Sequence, residues 1–214
     1  MKIRETIMKI ILNNEEIEQE VDGFNTLGDL LENLKRSRFG DQEFISAISV
    51  NGDTIEDSKR AGLENRSISE ITSLEISTDH PLDVSLRVLE NMGEFLRHLV
   101  ALINQSADKF RMDDETDANK YFVNCVEGLQ TFVGVLDKVR SLNNLDLSLI
   151  QQGSVSAAEK QDELLKIFNS LHVTQTNRDW IAVADLLEYE LAPLISDWKD
   201  ILPAISSELR KNNG

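Results

Sequence analysis

Two stretches of the chain carry the same apolar rhythm. Phe122, Cys125, Leu129, Phe132, Leu136 and Val139 follow one another at alternating spacings of three and four, and Ala184, Leu187, Leu191, Leu194, Trp198 and Ile201 repeat the pattern 62 positions later. Such spacing keeps every apolar side chain on one helix face, as in the seams of bundles and coiled coils. It predicts two long helices, over about 117–142 and 180–209. A third face, Val88, Met92, Phe95, Leu99 and Ile103, belongs to a helix that Pro81 opens and that ends near Phe110. A fourth, Leu164, Leu165, Phe168 and Leu171, follows the capping-box pattern Ser156-Ala157-Ala158-Glu159. Four helices with short connections pack as antiparallel neighbours, so residues 80–214 read as an up-down-up-down four-helix bundle. The repeat at 62 residues fits a duplicated helical hairpin.

Before residue 80 the period changes from helical to alternating. Met8, Ile10 and Leu12, then Ile17, Gln19 and Val21, flank Asn13-Asn14 and predict a hairpin. Thr26 caps a helix with Asp29 three residues on and Leu27, Leu30, Leu31 and Leu34 on one face. Phe44 to Val50 predicts a third strand, and Asn51-Gly52 turns it into a return strand at Thr54 and Ile55, because both residues tolerate positive φ. Leu74 and Ile76 mark a last strand. The stretch Thr26-Leu27-Gly28-Asp29-Leu30-Leu31 after a hairpin resembles the β-grasp fold of ubiquitin and of the small bacterial sulfur-carrier proteins, over residues 8–79. The resemblance implies an α+β chain with a β-grasp domain at 1–79 and the helical bundle at 80–214. In those carriers a C-terminal Gly-Gly is the working end. Here the last strand runs on through Asp79-His80-Pro81 into a helix and the sequence closes on Asn212-Asn213-Gly214, so the expectation is a docking surface and not a carrier.

The fourth helical face contains Leu187-Glu188-Tyr189-Glu190-Leu191-Ala192-Pro193-Leu194. A proline inside a helix removes a backbone hydrogen bond and crowds the carbonyl four residues back. Pro193 and Pro203 are therefore expected to bend or interrupt this helix. One outcome is a curved core helix; the other is a kinked groove that presents Tyr189, Glu190, Asp197 and Trp198 to a partner. The segment is similar to helical domains of uncharacterised bacterial proteins.

Charge narrows the partners. A formal charge of −16 over 214 residues disfavours a nucleic-acid surface, which needs a basic patch, and docking on an anionic membrane. Split at residue 79, each part carries −8, so the acidity is spread along the chain. It serves solubility or recruits a basic partner. No apolar run approaches a signal peptide or a membrane span, Met1 to Ile7 reads as a loose leader, and Cys125 is the single cysteine, so the expectation is a cytoplasmic protein without internal disulfides.

Catalytic chemistry is sparse. His80, His98 and His172 are unclustered, and no phosphate loop, dinucleotide fingerprint or nucleophile elbow occurs. Asp113, Asp114, Glu115 and Asp117 read as the acidic start of a helix, with a divalent cation as the alternative. Cys125 sits on the apolar seam as an inert thiol. The expected function is a non-enzymatic adaptor or assembly protein that binds another protein, without metal or cofactor. The alternative is a ligand-binding or catalytic protein with a pocket in the bundle or between the domains, using groups such as His98 or Tyr121. Strict heptads also allow self-association into a homo-oligomer.

Overall fold

A computed structural model of the protein describes residues 8–56, 60–112 and 115–212. Residues 1–7, 57–59, Asp113, Asp114 and the final Asn213-Gly214 lie outside it, and with them the leader and half of the acidic group. The chain divides between Pro81 and Leu82 into two compact units.

The first unit is a mixed five-stranded sheet with a helix on it. Strands β1 (Lys9–Leu12) and β2 (Glu15–Ile17) form the expected hairpin, Ile10 opposite Ile17, and Asn13 and Asn14 both hold positive φ in the turn. Helix α1 (Leu27–Ser37) opens on the capping box: the Asp29 N–H donates to Thr26 Oγ1 at 3.2 Å, and the Thr26 N–H donates to Asp29 Oδ2 at 3.1 Å. Strands β3 (Phe44–Val50) and β4 (Asp53–Thr54) turn at Asn51 and Gly52, with φ of 55° and 86°. A short helix α2 (Arg60–Leu63) and a 3₁₀ turn (Ile68–Glu70) lead to β5 (Ser73–Asp79), which enters the sheet between β1, to which it is parallel, and β3, to which it is antiparallel. The order across the sheet is β2-β1-β5-β3-β4. Ile10, Ile48, Val50, Leu74 and Ile76 from the strands meet Leu27, Leu30 and Leu34 of α1 in one core.

The second unit is helical. Helix α3 (Pro81–Arg111) is followed by α4 (Glu115–Asn143). Ser106 Oγ donates to the Ala118 carbonyl, Phe110 meets Phe122 edge-on, and Asn143 Nδ2 donates to Ser85 Oγ, so the two helices run antiparallel. Gly128 lies against α3: a Cβ there would stand 2.7 Å from Leu99 Cδ1. Between α4 and α5 the chain makes a 3₁₀ turn (Leu147–Leu149) and a two-stranded ribbon, β6 (Gln151–Gln152) with β7 (Val155–Ser156). Asp146 starts the turn by accepting from the Ser148 N–H at 2.9 Å. Helix α5 (Ala157–Thr176) opens on the Ser156–Glu159 capping box.

The last helical run is three pieces in sequence: α6 (Trp180–Asp185), a π-helical turn (Leu186–Leu191) and α7 (Ala192–Asn212). It lies parallel to α4, since Trp180 Nε1 donates to Glu115 Oε1 and Trp198 packs edge-on against Phe132, both pairs at nearly the same sequence offset. All twelve seam residues are buried. Val183, Ala192, Ile195 and Leu202 join them, because the wider π turn shifts the buried stripe partway along the run.

Candidate functional site: an apolar groove between two helices

Helix α4 carries a second row beside its buried seam: Val126 and Val133, half-buried, and Gln130 and Asp137, exposed, follow the same three-four spacing and line a groove with α5. From α5, Phe168, Leu171, His172 and Gln175 face that row. Between them is a half-open groove of about 510 Å³, floored by Phe122, Cys125, Leu129 and Leu191. Helix α5 is tied to the other side of the unit: Lys160 Nζ donates to Asp197 of α7 at 3.0 Å and to Glu163 at 3.1 Å. Gly134 lies in the groove wall, and a Cβ built there meets nothing within 4 Å. Val123 and Leu165, each three residues before a lining residue, continue the lips and are 53% and 55% exposed.

The groove is electrostatically simple. No lysine or arginine lines it, and its one carboxylate, Asp137, stands 4.0 Å from Arg140 Nη1. Gln130, His172 and Gln175 supply hydrogen-bonding groups at the mouth. Burial pushes the Cys125 thiol up to about 12, so this sulfur is a protonated wall atom and not a nucleophile.

The π turn supplies Leu191. Ahead of Pro193, which has no N–H to donate, the ladder slips by one residue and the Ala192 N–H donates to the Leu187 carbonyl five residues back. Arg111, at the end of α3, holds the turn from outside. Its guanidinium donates to Asp185 Oδ1 at 2.9 Å and to Glu188 Oε2, and lies 5.3 Å from the centre of the Tyr189 ring. Hydrogen bonds to Asp185 and Glu188 raise its pKa further.

The four residues expected at a partner surface separate. Tyr189 is 63% exposed and Glu190 is exposed; with Asp197 they line a second groove beside α5, together with Lys160, Lys166 and Pro193. Asp197 is engaged by Lys160. Burial alone would lower the Lys160 pKa, but the hydrogen bonds to Asp197 and Glu163 outweigh it and hold the pKa above its usual value. Trp198 is fully buried against Phe132, so its placement on a partner surface is corrected: a 3-4-3-4 seam member ahead of a proline is core here. Its Nε1 is the one buried side-chain polar atom without a hydrogen-bond partner among the described residues.

Sequence reading passed over Val126, Gln130, Val133, Gly134 and Gln175. The available signal was the pair Val126 and Val133, seven apart and one position beyond Cys125 and Phe132, which widens the α4 stripe past what one neighbour covers. Of the other candidates, His98 lies on the outside of α3, 3.4 Å from Glu94 Oε1. Asp117 accepts from Lys120 at 2.8 Å, and Glu115 is taken by Trp180. Among the described residues no group of three His, Cys, Asp or Glu could hold a metal ion, and no helix is long and apolar enough to cross a membrane.

Comparison with known proteins returns two family models and nothing else: no curated protein and no solved structure matches. Residues 8–80, the sheet unit, match the model described as the TP0873 N-terminal domain. Residues 87–201 match the model described as a domain of unknown function, DUF8042, which takes in all but the first turns of α3, all of α4 and α5, and the π turn with half of α7. With more than half of its length in that match, the chain belongs to the DUF8042 family.

Proposed function

We propose that this chain is a non-enzymatic protein-interaction module, an adaptor or assembly protein of the cytoplasm, that receives an apolar segment of another protein in the α4–α5 groove. The observation that carries the reading is the groove itself. Helices α4 and α5 leave a largely apolar slot between them, lined by α4 from Phe122 to Asp137 and by α5 from Phe168 to Gln175, with its polar groups at the mouth. The one thiol in its floor, Cys125, is held protonated by burial and so offers no nucleophile, which favours binding over catalysis.

The architecture fits that reading. The sheet order β2-β1-β5-β3-β4 with α1 on one face supports a β-grasp domain, and the antiparallel α3–α4 pair with α5 and the α6–α7 run supports a four-helix bundle, two folds that serve well as docking surfaces. A second reading has one observation behind it: about 510 Å³ falls within the usual range for small-molecule sites, so a compact apolar ligand is the alternative occupant.

Gly134→Trp is the direct test, since a Cβ at this wall position meets nothing within 4 Å and the ring would occupy groove space. Partners co-purifying with the tagged protein under mild salt should be lost in this variant while its circular dichroism spectrum is unchanged. Retention of every partner sinks the groove as the site. Loss of an extractable small molecule instead of a protein favours the second reading.

A further inference from the structure

The turn between β3 and β4 carries Asn51-Gly52, one of two Asn-Gly pairs in the sequence; the other, Asn213-Gly214, lies outside the described residues. An asparagine before glycine is the least hindered place for a main-chain nitrogen to attack the side chain ahead of it, because glycine has no Cβ to crowd that nitrogen. The turn is exposed, so water reaches it. The fold nevertheless engages both ends of the Asn51 carboxamide. Oδ1 accepts from the Thr72 N–H at 2.8 Å, the Thr72 hydroxyl at 3.1 Å and the Ser73 N–H at 3.2 Å, and Nδ2 donates to the Glu70 carbonyl at 2.9 Å. The Asn51 N–H adds a bond to the Ser73 carbonyl at 2.9 Å. Every one of these bonds runs to residues 70–73, where the chain enters β5. We infer that Asn51 is a latent deamidation site, closed while β5 is in place and opened when residues 70–73 release its side chain. In the opened turn the Gly52 nitrogen attacks Asn51 Cγ and gives its proton to solvent. The Cγ–Nδ2 bond breaks and Nδ2 leaves as ammonia. Water then opens the cyclic imide: attack at Cγ leaves aspartate, and attack at the Asn51 main-chain carbonyl leaves isoaspartate, with the chain rerouted through Cβ and Cγ. One water is consumed and one ammonia released, with no oxidant or reductant. Either product weakens the closed turn. Aspartate sets an oxygen against the Glu70 carbonyl where an N–H donated before. Isoaspartate lengthens the main chain where Val50 must stand opposite Asp53. The modification therefore accumulates in chains whose sheet has opened at β5, at a rate set by the open fraction.

The test incubates the full chain at mildly alkaline pH, folded and unfolded in urea, and follows Asn51 by peptide mapping and mass spectrometry, which reads the change from amide to acid. Deamidation at Asn51 should be at least about tenfold slower in the folded chain than in urea. Thr72→Val removes the hydroxyl donor and should quicken the folded rate about fivefold. Thr72→Pro removes the hydroxyl and the N–H together and should quicken it further; Ile71 ahead of it is already extended, with φ −110° and ψ 121°, as the residue before a proline must be. Thr131→Val, whose hydroxyl donates to the Glu127 carbonyl within α4, is the control and should leave the rate unchanged. Circular dichroism confirms that each variant is folded, and the valine variant alone decides if the proline variant is not. Equal rates in the folded chain and in urea overturn the inference, as do folded Thr72 variants no faster than the parent. A folded chain that reacts faster than the unfolded one also overturns it, since the three donors on Oδ1 would then activate the carbonyl instead of protecting it.

Discussion

Trp198 stands edge-on to Phe132 with ring centres 5.2 Å apart, and its indole N–H has no partner. The ring therefore contributes by packing alone. Trp198→Ala removes a fully buried ring and should cost about 3–5 kcal/mol. Trp198→Phe keeps an aromatic edge for Phe132 and removes an unsatisfied donor, so it should cost less than half as much. Tyr189→Ala, at an exposed position, should change stability by less than about 1 kcal/mol. Chemical denaturation of the three variants checks the order; a Trp198→Phe cost equal to that of alanine would show that the N–H is engaged after all.

Gly128 and Gly134 lie six residues apart in α4 and should respond oppositely to the same change. Alanine is better than glycine inside a helix by about 1 kcal/mol. At Gly134 the added methyl meets nothing, so the full gain should appear as a higher Tm. At Gly128 it would sit 2.7 Å from Leu99 Cδ1, and Leu99 is itself buried, so overpacking of about 1–3 kcal/mol offsets or exceeds the gain. Gly128→Ala should melt below Gly134→Ala. The reverse order would mean that Leu99 repacks freely and that α3 and α4 are not in tight contact there.

Arg111 binds two carboxylates three residues apart, Asp185 at the end of α6 and Glu188 on the π turn. Removing it leaves Asp185 and Glu188 facing each other without a counter-charge, while the guanidinium, about a third exposed, is partly screened. Arg111→Met should cost about 1 kcal/mol, and adding Asp185→Asn with Glu188→Gln should recover part of it. Amide exchange in residues 186–191 should quicken in Arg111→Met and leave α4 unchanged. Equal protection of the π turn in both proteins would assign its stability to Pro193 and local packing alone.

Much of this fold is written in short-range signals. The capping boxes at Thr26 and Ser156 and the positive-φ turns at Asn13-Asn14 and Asn51-Gly52 are local devices, readable because one or two side chains settle them. The seam residues are legible because periodicity reports burial. Periodicity does not report what does the burying. Trp198 and Val126 carry similar apolar signals, yet one is enclosed by α4 and the other opens to a groove, and the difference depends on where α5 is tied by Lys160 and Asp197. The π turn was legible only as an expected disturbance at Pro193, since the Arg111 guanidinium that engages Asp185 and Glu188 comes from another helix. Tertiary placement, more than composition, separates the candidate site from the core.

Acidification should act in two stages with opposite signs. Between neutral pH and the upper edge of carboxylate titration, protonation begins to relieve the repulsion of a chain at −16, so stability should rise. Lower still, capping carboxylates dominate. Hydrogen bonds from the Thr26 side chain and backbone hold the Asp29 pKa below its usual value, and those from the Ser156 backbone and side chain do the same for Glu159. A carboxylate with a depressed folded-state pKa contributes stability that is present above its unfolded pKa and lost as pH falls through the folded one. Stability should thus pass through a maximum on the mildly acidic side and fall below about pH 4, the ordinary carboxylate range. The double variant Asp29→Asn, Glu159→Gln should be less stable than the parent at neutral pH and show a shallower acid limb. Thermal melts across the pH series decide it: parallel acid limbs in the two proteins would place the acid-sensitive groups elsewhere, with Asp146 and Asp117, whose pKa values are also lowered by their hydrogen-bond partners, next in line.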